Sequence, residues 1–279
     1  MNGGDRMELE RAKQAIASAD AILIGAGAGM SVPAGIDLMD TKSFAKNYPA
    51  MLQYGFTFGY QLMGYPYHDD RLKWGYLSAS LHNMFQLGKD DTYQKLFKLV
   101  KDKEYFVVTT NIDRLFHKND FSEERVYTPQ GDTSLFQCKL PCSDEVWDAK
   151  VLVEEMVKHI DPETQFLTRE DLIPRCPNCG GEVYMNVRSG GFFIDDPYLQ
   201  GQVNLNNWLK DNGHKKLVFL EIGVGYNTPG VIRFPFERMY AQLQHADFIR
   251  INMDDSNVPL GGIGLQMDIE TALNIFLTN

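Results

Sequence analysis

Apolar positions along this chain recur with two different periods. From Glu8 to Ala19, Leu9, Ala12 and Ile16 share one face with charged residues opposite, the spacing of an amphipathic helix. Asp20 then leads into Ala21-Ile22-Leu23-Ile24, a short run that is apolar at every position and reads as a buried strand. Thr92 to Val100 repeats the helical spacing with Tyr93, Leu96, Phe97 and Val100 aligned. It feeds Glu104-Tyr-Phe-Val-Val-Thr-Thr110, whose aromatic and β-branched residues suit a strand. Two later runs, Lys216 to Ile222 and Phe248 to Asn252, have the same character. Every one of these strands ends in turn chemistry: Gly25-Ala-Gly-Ala-Gly29, Asn111-Ile-Asp113, Gly223-Val224-Gly225 and Asp254-Asp-Ser-Asn257. Strands that alternate with helices and carry Gly, Asn and Asp at their C-terminal ends predict a parallel sheet covered on both faces, with any ligand at those ends.

Two stretches break this rhythm. Residues 38–90 are crowded with aromatics and methionine (Phe44, Tyr48, Met51, Tyr54, Phe56, Trp74 and Tyr76 among them), and their glycines and prolines predict several short helices rather than one long one. Most of these side chains are expected to pack a core, with walling of a ligand cavity as the other use. The region 138–190 holds Cys138-Lys-Leu-Pro-Cys142 and, after a helical run from Ala149 to Ile160, Cys176-Pro-Asn-Cys179. Two short-spaced cysteine pairs match the way four thiolates surround a structural zinc ion, so Cys138, Cys142, Cys176 and Cys179 are the expected metal ligands. Reduced, metal-free thiols or a redox role are the alternatives. The expected division is a nucleotide-binding domain over 1–137 and 191–279, carrying the helical insertion 38–90, and a small zinc module over 138–190.

Composition narrows the function. With 279 residues, 44% hydrophobic and 23% charged, the chain is long enough for one large domain or one with a satellite. A formal charge of −10 without any Lys/Arg cluster argues against a nucleic-acid or anionic-membrane partner. The charged N-terminus lacks an apolar leader core, and no run approaches the roughly 18 apolar residues that cross a bilayer. A cytoplasmic location is the expectation, and cysteines in two close pairs fit it.

Within Gly25 to Asp37, GAGAGMSVPAGID, small residues directly after a buried strand allow a sharp turn and a close approach to a phosphate, although a tight strand-to-helix connection with no ligand uses the same residues. The wider set of motifs resembles the sirtuin family. GAG-M-S-VPA-GI-D is followed by Thr109-Thr-Asn-Ile-Asp113, the paired cysteines, Ile222-Gly-Val-Gly225, Ile251-Asn252, and Asp268-Ile269, in the family's order and across nearly the whole chain. The resemblance implies an α/β fold: a Rossmann-like parallel sheet that binds NAD, with a small zinc-binding module and a helical insertion. It implies that Gly27, Ala28 and Gly29 lie along the pyrophosphate with Ser31 and Asp37 nearby. Asp113 would hold the nicotinamide carboxamide and Asn111 orient the ribose or a water. Gly223, Val224 and Gly225 would face the adenosine side, Asn252 reach its ribose, and Asp268 and Ile269 complete the cofactor set.

Two departures redirect the expected chemistry. Deacylating sirtuins carry a histidine before a glycine shortly after the NID motif, where this chain has Gln130-Gly131. A neutral amide cannot take a proton near pH 7, so the general base for deacylation is missing. Gly35-Ile-Asp-Leu38 replaces the family's Pro-Asp-Phe-Arg, leaving Phe44 as a substitute ring. Both changes, and Thr228 to Phe236, resemble the macrodomain-linked class M sirtuins. That resemblance implies an NAD-dependent protein ADP-ribosyltransferase with Asn111 and Gln130 catalytic, an acceptor of the lipoyl-carrier type, and a macrodomain hydrolase that reverses the modification. A conventional deacylase and a non-catalytic NAD or ADP-ribose sensor are the alternatives. Arg188 and Arg233 are candidates to meet a carboxylate-bearing acceptor.

Overall fold

The computed structural model describes residues 3–278, so Met1, Asn2 and Asn279 of the expected nucleotide-binding domain lie outside the described residues. In chain order its elements begin with α1 (Gly3–Ser18), β1 (Ala21–Ala26), α2 (Thr41–Asn47), α3 (Asp70–Gln86), α4 (Asp91–Val100), β2 (Glu104–Thr109), α5 (Leu115–Lys118), β3 (Val126–Tyr127) and β4 (Gly131–Cys138). They continue with β5 (Val146–Asp148), α6 (Lys150–Met156), β6 (Val183–Val187), α7 (Leu199–Asn212), β7 (Leu217–Ile222), α8 (Arg233–Gln242), β8 (Ala246–Ile251), β9 (Ile263–Leu265) and α9 (Ile269–Leu277). Four of the helices start where an aspartate accepts first-turn N–H groups: Asp40, Asp69, Asp90 and Asp268.

The chain divides into two compact units, one of Met1–Gly35, Gly88–Gln130 and Pro197–Asn279, the other of Ile36–Leu87 and Gly131–Asp196. This differs from the division expected from sequence. The aromatic segment groups with the cysteine region, and the boundary falls at Gly131, because β4 pairs with β5 and β6 rather than with the large sheet.

The first unit is built on a six-stranded sheet, order β3-β2-β1-β7-β8-β9, in which each pairing is parallel. Register aligns Leu23 with Phe106 and Phe219, and Phe219 with Phe248, giving one row of side chains across the sheet. Trp208 of α7 and Phe236 of α8 close over that row. The alternate row, Ile22, Ile24, Val107, Val218, Leu220 and Ile249, is equally buried, and α1, α4 and α9, which pack on one another or on β9, supply the second layer. One ionic pair interrupts this core. Arg250 grips Glu221 on the neighbouring strand through two bonds of 2.6 and 2.9 Å and also reaches Glu237 of α8 at 2.7 Å. Removal of either partner would strand a buried charge.

In the second unit, α3 is the common spine. Trp74 and Leu81 join Phe136, Val153, Met156 and Val183 in one cluster, while Tyr76 joins Phe44, Tyr48, Met51, Phe56 and Leu62 in another. The sequence expectation of several short helices holds from Thr41 to Leu62, where α2 and two 3-10 turns follow one another, and fails at α3, which runs for 17 residues. Gly75 inside it is no breaker: a Cβ there would stand 1.9 Å from the Gln165 carbonyl oxygen, so the glycine lets that loop touch the helix. The antiparallel sheet β5-β4-β6 carries a register shift between Asp132 and Phe136. Among the described residues no helix is long and apolar enough to cross a membrane.

Candidate active site and metal centre

The C-terminal edge of the parallel sheet gathers the polar residues that the sequence singled out. Thr109, last in β2, donates its hydroxyl to the Ala26 carbonyl of β1 at 2.9 Å and accepts the Asn111 backbone N–H at 3.0 Å. This tie fixes where the chain leaves β2. Asn111 then spends both amide hydrogens, one on the Gly27 carbonyl and one on Ser31 Oγ, each at 2.9 Å. Ser31 donates to Asp113 Oδ2 at 2.6 Å, and Asp113 Oδ1 accepts the Leu115 N–H at 2.8 Å. Ser31, Asn111 and Asp113 are 2%, 8% and 6% exposed. Burial pushes the Asp113 carboxyl up from its ordinary range, while the bonds from Ser31 and Leu115 and the charge of Lys118 pull against it. With both Asn111 hydrogens committed, its Oδ1 is left as an acceptor only. A ligand at this edge is therefore met by acceptor oxygens and must bring donors.

Tyr93 was read from sequence only as part of a helix face. Its hydroxyl lies 2.9 Å from Ser31 Oγ, and the residue is fully buried. Helical spacing predicted the burial. The hydroxyl's partner lies far away in sequence, and nothing in the local pattern points to it.

The glycines of this edge have a packing role. A Cβ on Gly27 would stand 2.6 Å from the Gly223 carbonyl oxygen, and one on Gly29 would stand 2.7 Å from Gly223 Cα. Gly223 itself has φ of +59° and meets Gly29 in return. These residues let the β1 and β7 loops touch backbone to backbone, stitched by the Gly29 N–H to the Gly223 carbonyl at 3.0 Å. Space for a ligand is not what Gly29 preserves. Ala28 and Ser31 bound the short 3-10 turn that follows, and Val224 is buried. Gly225, by contrast, is exposed with nothing within 4 Å of a Cβ. We therefore expect Gly29→Val to lower the urea midpoint by an amount worth about 3 kcal/mol. Gly225→Val should change it by less than about 0.5 kcal/mol. Equal midpoints for Gly29→Val and wild type would sink this account of the contact.

Other expected site residues are spent on the fold. Asn252 donates to the Val224 carbonyl at 3.0 Å and accepts from the Asp254 and Asp255 N–H groups, pinning the β8 loop to the β7 loop. Asp268 caps α9, accepting the Thr271 N–H at 2.8 Å, and Ile269 is buried at the helix start. Arg233, 2% exposed, holds Asp255 at 2.7 Å, so its fork meets an internal carboxylate instead of an acceptor's. Arg188 pairs with Asp195 on the surface. Gln130 ends the first unit, half-buried, and its side-chain amide has no hydrogen-bond partner among the described residues. In the second unit, Asp37 is exposed and accepts the Met39 N–H at 2.8 Å. Phe44 packs its ring 5.4 Å from Tyr48 and 6.2 Å from Tyr76, centroid to centroid, which occupies it in the aromatic core.

The second unit also brings the four cysteines together. Cys138 ends β4, Cys142 follows in the next turn, and Cys176 and Cys179 flank a tight knuckle closed by Gly180 N–H to Cys176 O at 2.8 Å. Their Sγ atoms lie within 4.8 Å of one another. The pairs Cys138–Cys179 and Cys142–Cys176 are 3.7 and 3.6 Å apart. Tetrahedral Zn–S bonds of about 2.3 Å set sulfurs about 3.8 Å apart, so the donor set fits a closed zinc site. Backbone N–H groups of Cys179 and Asn178 lower the Cys176 thiol to about 7, and contact with Cys176 and Cys179 pushes Cys142 up to about 12.

No family model matches the chain. Over 254 residues it is 35% identical to a Fusarium oxysporum f. sp. cubense protein named "Probable bifunctional ADP-ribose hydrolase/ADP-ribosyltransferase", a match that takes in 88% of this chain and 42% of that one. The chain thus spans less than half of that relative's length. Over 280 residues it is 30% identical to the "Protein ADP-ribosyltransferase" of Staphylococcus aureus (strain Mu50), covering 98% of this chain and 88% of the relative. Among solved structures it resembles a Sir2 homologue in complex with NAD, with a TM-score of 0.63, 16% identity, and coverage of 96% of this chain and 91% of that one. An ADP-ribose complex of a Sir2 homologue variant gives the same TM-score of 0.63 at 16% identity, over 96% and 94% of the two chains. The fold is that of the Sir2 proteins. Within it, the chain belongs to the protein ADP-ribosyltransferase family of the Staphylococcus aureus relative.

Proposed function

We propose that the protein is an NAD-dependent protein ADP-ribosyltransferase whose acceptor is a lipoyl-carrier protein of the glycine-cleavage H type. The observation that carries the transfer reading is the buried Ser31–Asn111–Asp113 constellation, which presents the acceptor oxygens of Asn111 and Asp113 at the sheet edge, in a chain with Gln130 where a titrating base would be needed. Asp113 would accept the carboxamide hydrogens of nicotinamide. Asn111 Oδ1 would accept a ribose hydroxyl, and Gln130, with its amide unspent, would hold the ribose from its other side. Gly27, Ala28, Gly29, Ser31, Gly223, Val224, Gly225 and Asn252 are then the walls and ties of the NAD site. Bound NAD supplies an anomeric carbon with a good leaving group. Its bond to the nicotinamide nitrogen breaks, a bond to the acceptor nucleophile forms, and the nucleophile's proton passes to solvent. No step asks for the base that deacylation requires.

The acceptor class rests on the resemblance to macrodomain-linked sirtuins, and the Fusarium relative's name, which couples hydrolase with transferase, supports a reversing hydrolase as partner. The four cysteines would hold structural zinc, and four free thiols this close suit a reducing, cytoplasmic setting. The test is to incubate the protein with labelled NAD and lipoylated carrier, and separately with acetylated and lipoylated peptides. Label on the carrier with free nicotinamide is expected. Acyl-ADP-ribose from the peptides would replace this reading with a deacylase, and no nicotinamide at all would leave a sensor. Gln130→Ala should reduce transfer by about tenfold to a hundredfold with an unchanged melting curve. Undiminished transfer would remove Gln130 from the site.

A further inference from the structure

Tyr93 is a buried phenol whose hydroxyl serves nothing in the core that surrounds it. Its ring is held edge-on to Phe116, centroids 5.0 Å apart at 76°, and it is 0% exposed. Its oxygen sits 2.9 Å from Ser31 Oγ. The direction of that bond follows from counting hydrogens. Ser31 has one hydrogen and two lone pairs, and three neighbours: the Asn111 amide, which can only donate to it, Asp113 Oδ2 at 2.6 Å, and Tyr93. When Asp113 is ionised, Ser31 must donate to it and accept from Asn111. One lone pair remains, and only a hydrogen from Tyr93 can fill it. The bonds then run one way, from Tyr93 to Ser31 to Asp113. When Asp113 is protonated, its carboxyl competes with Tyr93 as a donor to Ser31 and this order is lost.

We propose that Tyr93 is a positioning residue that, through Ser31, keeps Asp113 ionised and acceptor-only, so that its carboxylate is ready for a donor-bearing ligand; this rests on the NAD reading of the Asp113 site. Such a relay matters because Asp113 is nine-tenths buried, where isolated carboxylates tend to protonate. A protonated Asp113 would present a hydroxyl to the same ligand and repel its donors. The other groups that face the pair are few. Lys118 of α5 attracts the Asp113 charge, the Leu115 N–H bonds its second oxygen, and the Asn111 amide and Asp90, just before α4, act on Tyr93. Polarised chains of this kind strengthen each member bond, so loss of the first donor should be felt at the last acceptor.

The experiment is a carboxyl-carbon NMR titration of Asp113 in the full-length protein, assigned by Asp113→Asn, for wild type, Tyr93→Phe and Ser31→Ala. Tyr93→Phe keeps the ring against Phe116 and removes only the donor. It should move the Asp113 midpoint upward by about one pH unit, and Ser31→Ala, which removes the direct donor, by more. In Tyr93→Phe the acid limb of nicotinamide release from NAD should move upward with the midpoint, while the alkaline plateau changes by less than about threefold. A packing role alone would lower the plateau and leave the limb in place. An unmoved Asp113 midpoint in Tyr93→Phe overturns the proposal; if that variant fails to fold, an unmoved midpoint in Ser31→Ala does so. A wild-type protein that releases no nicotinamide at any pH overturns the NAD reading instead, and the titration still decides the relay.

Discussion

Cys176→Ser is expected to strip the protein of its metal and unfold the unit that holds it. Freshly purified wild type should carry about one equivalent of zinc, and the variant less than about a tenth of that. The reason lies in what the second unit is made of. Its core is split into two clusters on either side of α3, and both Cys138 and Cys176 are buried members of one of them. Binding energies of structural zinc sites run to about 10 kcal/mol or more, comparable with the whole stability of a domain. Loss of one thiolate leaves three sulfurs crowded together without the ion that neutralises them. Cys176 is also the thiol that backbone N–H groups hold nearest to ionisation, so a neutral hydroxyl there removes the ligand best prepared for the metal. Metal analysis of the purified protein and thermal unfolding with and without chelator read the result. A wild-type protein without metal, or a variant that keeps both its metal and its melting curve, would remove zinc from the account.

The same cysteines show what a sequence can and cannot disclose. Pair spacing was enough to bring Cys138, Cys142, Cys176 and Cys179 to one point, because each pair lies within a few residues and only one long-range contact had to be inferred. The strands β1, β2, β7 and β8 were legible for a similar reason, since each is a nearly uninterrupted apolar run. The short strand β9 has a glycine at its centre, and β3 is only two residues long, so neither leaves a pattern to read. The sheet β5-β4-β6 escaped because β5 is only three residues long, and β6 lies far from β4 in sequence and pairs with it across a register shift. Gly75 and Gly29 each have a packing use that the sequence does not show. Glycine suggests a break or a ligand cradle by its local pattern, and both of these also let another backbone pass close by, a contact set by residues far away in sequence. Asn111, Asp113 and Ser31, which meet in one hydrogen-bonded cluster, were singled out by their motif. Tyr93 was not, because a phenol's role depends on what its oxygen touches, and here that is a side chain on another element.

Asp113→Asn should separate activity from stability. Under the NAD reading, replacing the carboxylate with an amide puts an NH₂ where an acceptor is needed, and kcat/KM for NAD should fall by about a hundredfold or more. Stability should move the other way. Burial raises the Asp113 carboxyl above its unfolded value of about 3.9, so its contribution to folding is fully present below that pH and is lost as the pH rises through the folded value. The asparagine variant has no such loss. Its melting temperature relative to wild type should therefore be more favourable at pH 8 than at pH 4, and at pH 8 it should equal or exceed the wild type's. One donor among Ser31, Leu115 and Tyr93 loses its best acceptor in the exchange, a neutral bond worth about 1 kcal/mol that partly offsets the relief. Melting curves across pH, run beside nicotinamide release, test both halves. A variant whose stability deficit grows toward alkaline pH would mean that the buried carboxylate stabilises the fold, and the account in which burial raises the Asp113 carboxyl would have to be abandoned.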